Sequence, residues 1–235
     1  MRLTRTPRHI IRTMHPRVQA TVKLLRGHED GIRRVLELGV GDGSILSEVI
    51  NALNINPEAY GVDINEKSLE VTRSRGIRVA KCDLNNCVLP YGDEYFDLVL
   101  MEEVIEHLVN PDNALREAHR VLRHGGLFVV TTPNLAWWVN RIALMLGYQP
   151  YWTEVSTMFN VGKFHRRINE PLSGHLRIYT FRSLRDLLKL HGFMVIKALG
   201  TVYKADKPFM VYMLDRLLGL RTTLAEVIAI LAMKP

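Results

Sequence analysis

Cysteine is scarce in this chain of 235 residues, which contains only Cys82 and Cys87. Two thiols cannot complete a four-ligand zinc site without histidines, and they do not indicate a disulfide framework. We therefore expect both cysteines to be reduced and to serve as small packing residues inside a cell.

Long apolar runs are also missing. The most apolar segment, residues 225–233, is short and contains Glu226. No segment approaches the roughly 20 residues that a membrane span needs. Residues 1–16 hold four arginines without a continuous apolar core, so no secretory signal is expected. These absences favour a cytoplasmic protein without a transmembrane segment, and they leave its oligomeric state open.

Acidic residues are absent from the first 26 positions, which carry seven basic side chains. The rest of the chain holds the other 24 basic side chains and all 24 acidic ones, so the net charge of +7 belongs to this N-terminal arm. A solvated tail followed by an edge helix would explain the pattern. The alternative is contact with RNA, an acidic lipid surface or an anionic substrate through residues 1–26.

Strand and helix patterns alternate along the chain. Buried apolar runs predict strands at 34–38, 59–64, 77–81, 96–101, 127–132, 193–199 and 226–233. Helical spacing of apolar residues predicts helices at 18–25, 44–53, 66–75, 113–122, 135–146, 181–191 and 209–218. This alternation indicates an α/β protein with an open parallel sheet, helices on both of its faces and an antiparallel strand at the end.

A glycine-rich turn follows the first strand. Glu37 precedes the pattern Gly-x-Gly-x-Gly formed by Gly39, Gly41 and Gly43. Glycines let a ligand approach the backbone, the next helix directs its free N–H groups at a carboxylate, and Glu37 suits an ammonium group. S-adenosylmethionine carries both groups. The competing dinucleotide fingerprint needs glycine where Ser44 stands, and an ordinary glycine-rich turn is the other alternative.

Acidic residues follow the later strands as well. Asp63 ends the second strand, about 20 residues after the glycines, where an acid can accept from both ribose hydroxyls. Asp83 could accept from an adenine amino group, with Leu84 packed on the ring, and Met101 and Glu102 end the fourth strand. Each acid alone is more often a helix N-cap. Their succession at strand ends, where ligands of open α/β sheets bind, favours a nucleoside ligand.

Together these motifs resemble the class I S-adenosylmethionine-dependent methyltransferases, in particular the small-molecule group that includes the ubiquinone and menaquinone methyltransferases. Segments 101–108 and 122–127 are also similar to that family. A weaker resemblance, to the methionine biosynthesis protein W group, rests on Thr132-Pro133-Asn134 with Trp138 and Arg141.

The resemblance implies a seven-stranded Rossmann-like sheet of order 3-2-1-4-5-7-6, with the last strand antiparallel. It implies four regions: a basic arm and helix (1–30), a cofactor-binding half (31–132), a lid that binds the acceptor (133–179) and a C-terminal completion of the sheet (180–235). It also implies that the cofactor S-adenosylmethionine is held by Glu37, Gly39, Gly41, Gly43, Asp63, Ile64, Asp83, Leu84, Met101 and Glu102.

The segment 133–174 lacks a strand pattern and is rich in aromatic residues. So long a connection is usually a lid or a binding element. Its aromatic side chains form either a substrate pocket or a small second core. Trp137, Trp138 and Tyr151 are candidates to face the sulfonium by cation–π contact. The aromatic residues of this segment are Trp137, Trp138, Tyr148, Tyr151, Trp152, Phe159 and Phe164.

Two histidines are candidates for a general base. His107 follows the fourth strand, and His175, near Arg177, lies where the lid returns; Arg177 could bind an anionic substrate. Purely structural roles for both histidines are the alternative. Methyl transfer from a sulfonium needs no metal, so none is expected.

The absences around the site narrow the reaction. No Asn/Asp-Pro-Pro-aromatic segment follows the fourth strand and no Pro-Cys pair occurs, which favours O- or C-methylation of a small molecule. We predict a methyltransferase that acts on an oxygen of a small-molecule acceptor. The alternatives are an RNA methyltransferase that uses the basic arm and an accessory protein that acts through a partner enzyme.

Overall fold

The computed structural model describes residues 15–164, 170–203, 207 and 209–235. Arg2, Arg5, Arg8 and Arg12 of the predicted arm therefore lie outside the described residues. Helices α1 to α7 span Pro16–Leu25, Ser44–Leu53, Glu66–Ser74, Pro111–Val121, Trp138–Met145, Phe181–Leu190 and Phe209–Leu218. Strands β1 to β7 span Arg34–Leu38, Glu58–Asp63, Arg78–Lys81, Phe96–Glu102, Leu122–Pro133, Met194–Thr201 and Val227–Met233. Short 3₁₀ turns cover Glu29–Gly31 and Ile105–His107.

The seven strands form one sheet in the order β3-β2-β1-β4-β5-β7-β6. The first five strands are parallel, and β7 lies antiparallel between β5 and β6. The predicted fold is therefore confirmed. Because β2, β1 and β4 are parallel neighbours, their carboxyl ends lie next to each other. The strand order reverses beside β1, and ligands of open α/β sheets bind at such a point.

Period-two alternation in the buried strands builds a core on each face of the sheet. In β4, Val99 and Met101 belong to one apolar cluster, whereas Leu98 and Leu100 belong to the other. Helices α4 and α6 cover the first cluster, and α1, α2 and α3 cover the second. Both faces of the central strands are therefore shielded, and the polar groups at the strand ends are placed on a rigid frame.

Strand β5 begins at Leu122 rather than at the predicted position 127. Gly125, with φ of +72°, allows an irregular start, and its N–H donates to the carbonyl of Lys234 at 2.8 Å. The Lys234 N–H donates back to the Gly126 carbonyl at 3.0 Å. The C-terminus of the chain thus extends the ladder through the segment that was predicted to be a turn.

Helix α5 is shorter than predicted, because the residues before Trp138 are held outside it. The Leu135 N–H donates to the Tyr179 carbonyl, and the Ala136 N–H donates to the Asn134 side chain. These bonds hold the beginning of the lid against its end, so the lid starts as a turn. Among the described helices, none has the length and apolar character to cross a membrane.

Candidate active site

Glu37 is a buried carboxyl group whose hydrogen bonding is incomplete. A backbone hydrogen bond from Leu46, in the first turn of α2, reaches it, but Oε2 has no partner among the described residues. Burial raises the pKa of Glu37 well above its ordinary value; repulsion from Glu102 adds to the rise and Arg17 opposes it. Because an unpaired buried acceptor is costly, an ammonium group from a ligand would stabilise Glu37.

The glycine turn after β1 leaves room at one of its three glycines. A Cβ on Gly39 would collide with the side chain of Val104, and one on Gly43 would press on Thr72 and Ile77. A Cβ on Gly41 would meet no atom within 4 Å, although φ there is +53°. Packing therefore accounts for the first and third glycines, whereas Gly41 presents bare backbone to open space.

Asp63 connects the end of β2 to this turn. Its Oδ2 accepts from the Gly41 N–H at 2.9 Å, and its Oδ1 accepts from the Asn65 N–H at 2.8 Å. The next side chain, Ile64, is 60% exposed despite being apolar. The half-buried Asp63 carboxylate retains lone pairs for further donors, so it can serve as a structural tie and as a ligand group.

Asp83 and Leu84 lie inside a short loop closed by a disulfide bond. Cys82 and Cys87 are bonded to each other, with their Cα atoms 5.9 Å apart. The expectation of reduced thiols was therefore wrong, whereas both residues do pack as predicted, with Cys82 in the core and Cys87 against it. The cause is local, because the Cys87 N–H donates to the Asp83 carbonyl at 2.8 Å and folds the loop back on itself. Asp83 also accepts from both nitrogens of Asn85, and Leu84 is buried in the core.

Glu102 lies at the end of β4, and both of its carboxyl oxygens accept hydrogen bonds from side chains of the protein. The hydroxyl of Thr21 in α1 donates to Oε1 at 2.5 Å, and that of Thr131 in β5 donates to Oε2 at 2.8 Å. Burial raises the pKa of Glu102 to about 7, against the effect of these two hydrogen bonds. Its neighbour Met101 is fully buried. Met101 and Glu102 were both predicted to hold the cofactor. In the structure Met101 lies in the hydrophobic core, and Glu102 links the end of β4 to α1 through Thr21.

Arg17, which sequence reasoning missed, supplies a positive charge at this edge of the sheet. Its Nη1 lies 3.1 Å from Oε2 of Glu103, and the Tyr203 hydroxyl donates to Oε1 of the same carboxylate. Arg17 also lowers the pKa values of Glu37 and Glu102. The sequence contained one signal for such a residue. Several acidic residues lie at the end of β4, and their repulsion favours a basic residue from another part of the chain beside them.

The two predicted histidines meet where the lid returns to the sheet. The ring centroids of His107 and His175 are 4.8 Å apart. Nδ1 of His107 lies 3.1 Å from the Gly174 carbonyl oxygen, and Nδ1 of His175 lies 3.1 Å from that of Trp152. A carbonyl oxygen can only accept, so each Nδ1 carries the proton, and each neutral ring keeps a lone pair on Nε2. Burial lowers the pKa of His175, which favours its neutral form.

Backbone hydrogen bonds bring the lid's return to this place. The N–H groups of Leu176 and Arg177 donate to the Glu106 carbonyl at 2.8 and 3.0 Å. The Arg177 guanidinium donates to the Val109 carbonyl at 2.6 Å, and its binding of an anionic substrate stays a prediction. Arg177 therefore fixes the approach of the lid segment that carries His175.

Glu106 lies beside the histidine pair and was also missed. Its side chain is buried; Oε2 accepts from the Thr132 hydroxyl at 3.0 Å, whereas Oε1 has no partner among the described residues. Burial raises the pKa of Glu106 to about 8, and Glu103 adds to the rise. One ligand atom from each of Glu106, His107 and His175 lies within 4.8 Å of the others. The position of Glu106 directly before His107 in the sequence was the signal that could have identified it.

Two tryptophans near the beginning of the lid connect it to α7. The indole N–H groups of Trp137 and Trp138 both donate to Oδ1 of Asp215, at 2.7 and 2.6 Å. Lys207 Nζ lies 4.6 Å from the centre of the Trp137 ring, and the Tyr151 ring packs beside Trp137. Trp137 is buried and the cation beside its ring is Lys207 of the protein itself, which favours the small second core for this ring.

Comparison with known proteins identifies the class. Residues 36–130 match the methyltransferase-domain family. The chain is 28% identical to a probable S-adenosylmethionine-dependent methyltransferase of Mycolicibacterium smegmatis, over 83% of this chain and 74% of the relative. It is 36% identical to an uncharacterised protein of Methanocaldococcus jannaschii, over 73% of this chain and 69% of that protein.

A solved structure agrees with these sequence matches. An S-adenosylmethionine-dependent methyltransferase of Thermotoga maritima, described as a possible histamine N-methyltransferase, aligns with a TM-score of 0.64 and 25% identity. The alignment covers 97% of this chain and 92% of that one. The chain belongs to the S-adenosylmethionine-dependent methyltransferases of the class I, small-molecule type. It is therefore an enzyme that uses S-adenosylmethionine.

Proposed function

We propose that this enzyme transfers a methyl group to an oxygen atom of a small molecule. The observation that carries the proposal is the histidine pair, because His107 and His175 each keep an Nε2 lone pair beside the lid's return. A hydroxyl group is a poor nucleophile until it loses its proton, whereas an amine with a free lone pair needs no base. A pair of oriented proton acceptors therefore favours a hydroxyl acceptor.

Several groups at the cofactor end of the site can accept or contact a further partner, and this supports binding of S-adenosylmethionine there. The unpaired Oε2 of Glu37 suits the ammonium group, and the open backbone at Gly41 allows close approach. Asp63 would accept from the ribose hydroxyls, with the exposed Ile64 beside it. Asp83 would accept from the adenine amino group. Bound S-adenosylmethionine supplies an electrophilic methyl group on a positively charged sulfur.

The residues of the chain contribute positioning and proton transfer. The new carbon–oxygen bond forms as the methyl–sulfur bond breaks, the electron pair of that bond stays on sulfur, and the hydroxyl proton moves to Nε2 of His107 or His175. Alignment of the reacting groups can supply about 7–11 kcal/mol, and a positioned base contributes roughly 10²–10⁴-fold in rate. The lid keeps water away from the reacting groups.

A screen of hydroxyl and amine acceptors with methyl-labelled S-adenosylmethionine tests the proposal. We expect label on oxygen, identified by mass spectrometry and carbon NMR of the product. His175→Gln should lower kcat by about 10²-fold or more, as removal of a general base does, and should remove the acidic limb of the kcat/KM profile. The matched control is His191→Gln, because His191 pairs with Asp112 away from the site. Label found only on nitrogen or carbon would refute the proposal.

Calorimetric titration with S-adenosylmethionine tests the cofactor assignment separately. Asp63→Ala should weaken binding strongly, because the variant loses the ribose acceptor and the tie to Gly41. Asp63→Asn, which keeps one acceptor oxygen, should fall between it and the wild type. Asp186→Ala removes an exposed carboxylate paired with Arg185 and is the control. Equal affinity in Asp63→Ala and the control would contradict the assignment.

A further inference from the structure

We infer that Glu106, His107 and His175 bind a divalent transition-metal ion. Glu106 and His107 come from the 3₁₀ turn after β4, and His175 comes from the lid's return. Two imidazoles and one carboxylate form a set of three protein ligands, which leaves further coordination positions open, as in catalytic metal sites. The expectation of a metal-free enzyme rested on the needs of methyl transfer and did not consider Glu106.

The separations of these groups suit one small ion. One ligand atom from each residue lies within 4.8 Å of the other two. Zinc-like ions hold nitrogen and oxygen ligands at about 2.0–2.2 Å, so two ligands of one ion are at most about 4 Å apart. Side-chain movements of about one ångström would therefore bring all three atoms to bonding distance of a central ion.

The unpaired oxygen of Glu106 is the second observation that points to a ligand. Glu106 is fully buried, and the Thr132 hydroxyl holds Oε2 in place at 3.0 Å. The carboxyl interacts with the backbone N–H of Glu106 itself, but Oε1 has no hydrogen-bond partner on another described residue, although it is shielded from solvent. Because a buried acceptor without a donor is destabilising, the protein retains here a group that a cation would satisfy.

Both imidazoles are oriented as metal ligands usually are. His107 donates its Nδ1–H to the Gly174 carbonyl, and His175 donates its Nδ1–H to the Trp152 carbonyl. Histidine ligands almost always donate their second ring N–H to a carbonyl or a carboxylate, which fixes the tautomer and the ring plane. The Nε2 atoms are thereby left unprotonated in the neutral rings and available for coordination.

The charges around the cluster also favour a cation. Glu103 acts electrostatically on both Glu106 and His175, and Glu154 attracts His175 as well. Arg17 opposes this field, but its Nη1 is bound to Glu103. A mixed imidazole and carboxylate set suits Zn²⁺, Fe²⁺, Co²⁺ or Mn²⁺ better than Mg²⁺ or Ca²⁺, which prefer oxygen ligands.

An ion held there would have a direct use on the acceptor side of the enzyme. A bound divalent metal lowers the pKa of an oxygen ligand and fixes its position. The same Nε2 atoms would then act through the metal instead of as free bases. This role rests on the proposed oxygen acceptor, whereas the binding of the metal does not.

Cobalt titration of the full-length, untagged chain tests the site. After removal of metals with a chelator, Co²⁺ should bind one ion per chain and produce visible d–d absorption bands, which Zn²⁺ then removes. His175→Ala and Glu106→Gln should bind at least about 100-fold more weakly, because loss of an outer-shell partner alone costs about 10–100-fold. His191→Gln, in which a carboxylate-paired histidine outside the cluster is replaced, should match the wild type.

Calorimetric binding of S-adenosylmethionine by each variant shows that its fold is intact. Absence of the bands in the wild type, or equal Co²⁺ affinity in the wild type and His175→Ala, would overturn the inference. If Co²⁺ binds as expected but the product is methylated on nitrogen, the site stands and the proposed function fails. If oxygen is methylated and Co²⁺ does not bind, the proposed function stands and the metal site fails.

Discussion

The buried carboxyl of Glu102 should make the stability of the cofactor-free protein fall as the pH rises. Burial raises its pKa from 4.5 to about 7, and two hydroxyl groups, from Thr21 and Thr131, are its hydrogen-bond donors. Replacement by glutamine removes the titration and keeps the shape. Because hydroxyl groups can donate or accept, the two threonines can adapt to an amide. Glu102→Gln should therefore remove part of the pH dependence.

The sign and the size follow from proton linkage. In the unfolded chain this carboxyl ionises near pH 4.5, whereas in the folded protein it ionises near pH 7. Between these values the folded state binds more protons, so the stabilising contribution is complete below pH 4.5 and is lost as the pH rises through about 7. At about 1.36 kcal/mol for each pKa unit, the loss is ~3 kcal/mol. The Glu106 carboxyl, whose pKa is raised to about 8, makes a stabilising contribution of the same sign. This contribution is lost as the pH rises through about 8.

Urea unfolding near pH 5 and near pH 8.5 measures the effect, since these values bracket most of the titration. The gain in unfolding free energy of Glu102→Gln over wild type should be ~3 kcal/mol larger at the higher pH. Glu70→Gln, at an exposed position of α3, is the control and should shift both values equally. A Glu102→Gln difference that is the same at both pH values would show that the folded protein holds this carboxyl ionised, and the reasoning would fail.

Two other substitutions and the reduction of the disulfide test packing, charge and cross-linking elsewhere in the fold. Gly39→Ala, at φ +73° against Val104, should lose about 1–3 kcal/mol of unfolding free energy; adding Val104→Ala should recover part of it, and strictly additive losses would contradict the clash. Lys207→Met leaves Asp215 buried without its ammonium partner and should cost about 3–5 kcal/mol, seen as a lower Tm; an unchanged Tm would refute this. Reduction of the Cys82–Cys87 disulfide should lower the unfolding free energy by ~2 kcal/mol, the value expected for so short a loop, and no change in urea midpoint would contradict it.

The frame of the cofactor site could be predicted from local sequence patterns. Helix α2 and strand β1 begin and end as predicted, because apolar periodicity and the glycine turn mark their ends. Glu37 and Asp63 lie together because parallel neighbouring strands bring their carboxyl ends to one edge. The order of the strands was implied by the family resemblance, and no local pattern contains it.

The partners of each predicted side chain could not be predicted in the same way. Glu102 receives donors from Thr21 and Thr131, which lie 81 and 29 residues away in the chain. Gly39 has to be a glycine because Val104 packs on it, a contact that the turn itself does not encode. Local sequence thus identifies the polar residues at a sheet edge, whereas distant elements determine which of them remain free for a ligand.

The proposed acceptor side depends still more on distant contacts, because it includes residues of the lid. The backbone bonds that Leu176 and Arg177 donate to the Glu106 carbonyl help to bring His175 beside Glu106. The other end of the lid is fixed by the bonds of Trp137 and Trp138 to Asp215 in α7. Since the lid is held at both ends and no strand lies between these anchors within the described residues, we expect exchange of residues there to change the acceptor and to leave the cofactor site in place. We therefore expect the residues of the lid, which has helix α5 but no strand of the sheet among its described residues, to determine the acceptor.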